Sequence, residues 1–153
     1  MKNKKVEIGD LFLIPFEKKY AVCKVLWVSK KTKNVFSFVV KNGLANTKEE
    51  ALNIANIKEY LFVKIYSGVI NVFYTSIEKL KNGEWEIIGN QKLTEKENHD
   101  FQYHNIGGNL YKGDEYIRPL NVEEYKTVPK MGIDGYEAIN NFLKTGFVDN
   151  ISN

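Results

Sequence analysis

Between residues 11 and 40, three runs rich in β-branched and aromatic side chains follow one another: residues 11–16, 20–28 and 35–40. They are separated only by the polar tract Glu17-Lys18-Lys19 and by a Lys-rich turn, "SKKTKN". Connectors this short join strands as antiparallel neighbours, so the chain is expected to open as a β-meander. In the second run Ala21, Cys23, Val25 and Trp27 share one face, and Val22, Lys24, Leu26 and Val28 share the other. Both faces are largely apolar, which places this strand at the centre of a sheet.

Further along, Asn42-Gly43 reads as a turn, and Thr47 followed by Glu50 reads as a capping box for a short helix over residues 48–55. Ser67-Gly68 is expected to close a hairpin between "YLFVKIY" and "VINVFYT". Trp85 and Ile87 are expected on one face of another strand, with Glu86 and Ile88 on the other. The stretch "ENHDFQYHNIGGNLYKGDEYIRPL" is the most loop-like in the chain. Within it, Gly107-Gly108 turns a strand over 103–106 onto one over 109–112, and Lys112-Gly113-Asp114 turns that strand onto residues 115–118. Pro119 then marks a sheet end or edge. Asp134, followed by Glu137, is expected to cap a helix running to about Lys144, with Ile139, Phe142 and Leu143 facing inwards and Gly146 as its stop.

At 153 residues the chain is expected to form one domain, residues 1–153, burying roughly 70% of its unfolded surface. An aromatic share of 13%, with nine Tyr and nine Phe, favours strands over helices. The net charge of +3 comes from 22 basic and 19 acidic residues that are interspersed. Arg118 is the one arginine, and bidentate reading of phosphate or guanine relies on arginine, so a nucleic-acid partner is not the expectation. The single Cys23 excludes an intramolecular disulfide and suits a reducing cytoplasm. No apolar run approaches the length of a membrane span, and the basic start lacks an apolar stretch behind it. The expectation is a soluble cytoplasmic protein.

No catalytic or metal-binding pattern emerges. Cys23, flanked by Val22, Val25 and Leu26, reads as a small buried apolar residue, not as a nucleophile. His99 and His104 lack the spacing of a ligand pair, and no metal or cofactor is expected. The acid pairs in "KEEA", "VEEY" and "GDEY" read as solvated surface, and the glycines at 107, 108 and 113 match no phosphate loop. The Lys-rich stretches at 2–5, 18–19 and 30–33 are expected near one rim of the sheet, where they offer an acidic partner or a phosphate backbone some attraction. Tyr103, His104, Tyr111 and Tyr116 combine aromatic and polar character in the manner that protein interfaces enrich, and they are the expected partner-binding residues.

The opening "IGDLFLIPFEKKYAVCKVL", through Gly9, Asp10, Phe12, Pro15, Tyr20 and Ala21, resembles the start of the Immunity protein 26 family of bacterial polymorphic-toxin and contact-dependent inhibition loci. The resemblance implies a non-enzymatic protein that neutralises a cognate protein toxin in the cytoplasm of the producing cell. The opening is also similar to the barrel of MazF-like endoribonuclease toxins, which place an Arg-Pro pair at the start of a following strand. Here the one such pair, Arg118-Pro119, lies near the far end of the chain and argues against that activity. A nucleic-acid-binding β-barrel is the other alternative. The expected fold is α+β and mostly antiparallel, a strongly bent sheet or an SH3-like barrel with a short middle helix and a C-terminal helix. Gly9 and Asp10 then form a turn of the scaffold.

Overall fold

The computed structural model of the protein describes residues 5–31, 34–65 and 68–149. Strand β1 (Asp10–Phe16) turns into β2 (Lys19–Val28), and β3 (Val35–Ala45) follows. After helix α1 (Lys48–Ile54) come β4 (Val63–Ile65), β5 (Gly68–Ile70), β6 (Phe73–Ser76), the short α2 (Glu78–Lys81), β7 (Ile87–Asn90) and α3 (Glu95–Asp100). Strands β8 (Tyr103–Ile106), β9 (Asn109–Lys112) and β10 (Glu115–Pro119) precede α4 (Glu124–Thr127) and α5 (Tyr136–Lys144), which continues into a π-helical turn, Thr145–Asp149.

The fold is α+β with antiparallel sheets. Five strands lie in the order β6-β3-β2-β1-β7, three in the order β10-β9-β8, and β4 pairs with β5. Of the two forms expected, the open bent sheet is the one formed, with β6 and β7 as its edges. β2 is central, as its two apolar faces require. Phe12, Ile14, Cys23, Val25, Phe36 and Phe38 pack on one side with Trp85 and with Ile139 and Leu143 of α5. Leu11, Leu13 and Val22 pack on the other side with Ala51 and Ala55. Among the described residues no helix is long and apolar enough to cross a membrane.

Several local expectations are corrected. The register of β2 against β3 shifts between Val25 and Trp27, an extra residue that reverses the alternation. Trp27 therefore leaves the Cys23–Val25 face and packs with Leu26, Val35 and Tyr74. Asn42-Gly43 is no turn, because β3 runs through it to Ala45. The ladder slips there, with Ala21 opposite Leu44 and Cys23 opposite Val40, and a Cβ on Gly43 would meet Ile57 and Ile54. Thr47 caps α1 by accepting from the Glu50 N–H, but the Glu50 carboxylate takes Asn46 as its donor, so the box is half made. β4 and β5 do pair as a hairpin; Ser67, at the expected turn, lies outside the described residues.

At the C-terminal end, Gly135 and not Asp134 precedes α5. The Asp134 backbone is already engaged on the edge of β6, donating to the Tyr74 carbonyl and accepting from the Thr75 hydroxyl. Five residues earlier, Pro129 accepts from the Asn105 N–H and Met131 donates to the Asn105 carbonyl. One segment thus clasps the edges of β6 and β8 together. Gly146 does not stop α5. The Leu61 side chain approaches so closely that a Cβ at 146 would lie 2.8 Å from both its methyl carbons, and this approach lets Phe147 reach the core.

Gly146→Ala overpacks that contact and is expected to lower unfolding stability by about 1–3 kcal/mol. Gly132→Ala, where a Cβ meets open space, is the control and should change little; denaturant titration of both variants checks the difference.

Candidate functional site

The four aromatic and polar residues singled out in the sequence fall on two faces of the β8–β10 sheet. His104 pairs with Tyr111, and Tyr111 with Tyr116, so these three form one cross-strand row. Tyr103 pairs with Lys112 and faces the other way. Gly107 and Gly108, with φ of 60° and 89°, make the tight turn that sets this register.

The row continues inwards as a stack of rings. Trp27 lies 4.5 Å from His104 between centroids, His104 6.4 Å from Tyr111, and Tyr111 5.7 Å from Tyr116. Exposure rises along it, from a buried Trp27 and a His104 only 1% exposed to a Tyr116 that is 50% exposed. His104 is therefore placed beneath the surface, where it supports Tyr111 from below. Burial lowers the His104 pKa against the opposing pull of the Gly113 backbone and Asp114, so the ring is neutral near pH 7. Lys31 lies over the outer ring of Tyr111, 5.7 Å from its centroid.

On the opposite face Tyr103, Leu110, Val128 and Pro129 line a shallow depression of about 620 Å³. Arg118 and Glu124 close one end with a bidentate pair at 2.5 and 2.7 Å. That bond, with the Asn121 N–H, holds the Glu124 carboxyl down at about 2. Arg118 is thereby committed to its neighbour, which gives the ribonuclease reading no free arginine at its Arg-Pro pair.

The chain's least expected chemistry lies under this sheet. Glu97, fully buried, anchors a group of side chains that its position in a polar stretch concealed. Thr94 and Glu97 form a complete capping box at the start of α3, a segment expected to be loop. One Glu97 oxygen accepts from Lys24 Nζ at 2.7 Å and from the Thr94 N–H at 2.9 Å. The other accepts from the Tyr60 hydroxyl at 2.7 Å and lies 3.9 Å from Lys41 Nζ. The pattern Thr-x-x-Glu at 94–97 was the signal available in the sequence. Burial raises the pKa of this carboxyl, but the Lys24, Thr94 and Tyr60 donors outweigh it and the net shift is downward. With three hydrogen bonds and two ammonium groups about it, this carboxylate holds its charge and braces α3 against β2.

Other candidates disperse. Cys23 is buried and its thiol pKa is pushed up by burial. His99 is exposed and bonds Asp100 next to it. Among the described residues no group of three His, Cys, Asp or Glu is placed to hold a metal. The lysines do not share a rim: Lys18 lies in the β1–β2 turn and Lys30–Lys31 beyond the far end of β2. Lys2, Lys4 and Lys33 lie outside the described residues.

A model of the family described as Immunity protein 26 matches residues 7–114, more than half of the chain. The chain belongs to the Immunity protein 26 family. No curated protein and no solved structure matches it. Membership in Immunity protein 26 suggests a toxin-neutralising function. The matched region takes in β1 through β9 and ends before β10. Beyond it, between residues 115 and 133, Tyr116, Ile117, Val122, Tyr125 and Ile133 are exposed, Val122 by 77%.

Two outcomes follow from the buried groups. A carboxylate with a lowered folded pKa contributes fully above its unfolded value and loses that contribution as pH falls through the folded one. Stability is thus expected to hold down to about pH 5 and fall below it, while Glu97→Gln should cost about 3–5 kcal/mol at neutral pH and flatten the acid limb, both read by denaturant titration across pH. Among the described residues the buried Tyr74 hydroxyl has no hydrogen-bond partner, nor do Trp27 Nε1 and His104 Nε2. Tyr74→Phe is therefore expected to leave the melting temperature unchanged or raise it, and a marked fall would show that the hydroxyl is bonded.

Proposed function

We propose that this chain, acting as a single domain in the cytoplasm, is a non-enzymatic immunity protein that binds a cognate bacterial protein toxin and holds it inactive. The observation that carries this reading is the ring stack from Trp27 to Tyr116, together with membership in the Immunity protein 26 family. A tyrosine stacked on a buried histidine, which itself packs on a buried tryptophan, is preorganised, and preorganised aromatic anchors dominate protein-interface energetics. Tyr111 and Tyr116 are the contact residues on this face, His104 is their support, and Tyr103 serves the depression on the reverse face.

The charge pattern agrees with a protein partner. From β9 to Lys130 the cations Lys112, Arg118, Lys126 and Lys130 are matched by Asp114, Glu115, Glu123 and Glu124. A balanced surface gives a phosphate backbone no continuous track, and shape with aromatic burial supplies the affinity instead.

The test is capture of the product of the gene directly upstream by this chain, with that product's toxic activity measured with and without one equivalent of the chain. Stoichiometric capture with loss of activity is expected. Ala replacements of Tyr103, Tyr111 and Tyr116 should each weaken binding by more than about 1 kcal/mol with folding intact. Undiminished affinity in all three would remove both faces of the β8–β10 sheet from the interface, and salt-sensitive RNA or DNA binding in place of capture would replace the proposal.

A further inference from the structure

Between β5 and residues 125–130 runs a groove of about 300 Å³. Val69 and Ile70 form one wall, Tyr125, Val128 and Pro129 the other, and Tyr74 also lines it. We propose that this groove receives an extended segment of the toxin, which adds as a strand to the free edge of β5; the inference rests on the immunity reading and names where the partner docks.

Three observations on the groove lead to that occupant. First, β5 is paired on one side only, with β4, so among the described residues its second edge belongs to no sheet. Alternate residues along such an edge turn N–H and C=O groups outward, and an added strand satisfies them while its side chains alternate into and out of the groove. On the opposite wall Pro129 has no N–H, and its carbonyl, like the Met131 N–H, is already bonded to Asn105. Secondly, Tyr74 is only 3% exposed, yet among the described residues its hydroxyl has no hydrogen-bond partner. A buried unpaired hydroxyl is costly, and a polar atom of an inserted segment is the complement it lacks.

Thirdly, the charged residues of the groove are Lys126, Lys130 and Asp134, and burial raises the pKa of Asp134. Two cations against one half-buried acid favour a segment that is apolar in its middle and acidic at one end. An apolar slot beside an unpaired strand edge suits a polypeptide and not a phosphate backbone. The groove also adjoins the depression beside Tyr103, since Thr127, Val128 and Pro129 line both. The Tyr125 hydroxyl lies 2.8 Å from where a Gly108 Cβ would be, so the same tyrosine covers the β8–β9 turn and walls the groove.

The experiment uses the full chain, the purified upstream gene product and two variants. Val69→Lys alters a side chain that is 60% exposed, so the fold should persist, and Tyr74→Phe removes only the unpaired hydroxyl. Wild type should bind, Val69→Lys should bind at least tenfold more weakly and Tyr74→Phe several-fold more weakly, with melting temperatures at or above that of wild type. Wild-type capture with both variants within twofold of it overturns the groove and leaves the immunity reading standing. Failure of wild type itself to capture the product overturns both. A concentration-dependent dimer of the chain alone, abolished by Val69→Lys, assigns the β5 edge to a second copy and overturns the toxin as its occupant.

Discussion

A glutamate with no contact with solvent is costly to bury, and Glu97 is tolerated because four groups from different parts of the chain meet it. Lys24 comes from the middle of β2, Lys41 from the slipped part of β3, Tyr60 from the segment before β4, and Thr94 from the cap of α3 itself. Each donor alone would be a buried polar group seeking a partner. Together they fix α3 on the sheet, and Gln102, just after it, donates to the Leu26 carbonyl. The chain therefore enters β8 at a defined height and angle. Removing the carboxylate would leave two ammonium groups facing each other in a dry interior, so the cluster specifies geometry more than it adds net stability.

From that fixed entry the ring stack follows. β8 carries His104 over Trp27, and the residue slip in β2 is what turns Trp27 to that side. The Gly107-Gly108 turn brings Tyr111 over His104, and the next turn brings Tyr116 over Tyr111. The returning segment clasps β8 and β6, which sets residues 125–130 opposite β5 and creates the groove. The ring stack and the groove are thus consequences of one chain path. The matched region of Immunity protein 26 builds the scaffold, while the most exposed apolar side chains of the face come after residue 114.

The meander, the centrality of β2 and the three strands from β8 to β10 were legible because each rests on a local rule: apolar alternation or a glycine turn. Ile139 and Leu143 declared the buried face of α5 for the same reason. What was hidden breaks those rules. α3 buries a glutamate and no apolar residue, so hydrophobic periodicity could not find it, although its capping box is plain in Thr94 and Glu97. Trp27 changed faces because a bulge is invisible to strict alternation. Gly43 and Gly146 serve close packing against Ile54, Ile57 and Leu61, contacts distant enough in sequence that each glycine reads as a turn or a stop. Tyr103, His104, Tyr111 and Tyr116 were recognisable as a group, but their division between two faces and the burial of His104 depend on strand pairing.

If the proposed surface is right, the toxin covers β10, residues 120–130 and β5 while the sheet behind them stays fixed. Hydrogen exchange of the chain, alone and with the captured toxin, tests it most directly because it reads every backbone amide at once. The expected result is slowed exchange in those three segments on complex formation, with the protection of β1 to β3 unchanged. Slowed exchange confined to the β1–β2 turn or the far end of β2, with β5 and β10 as free as before, would contradict it.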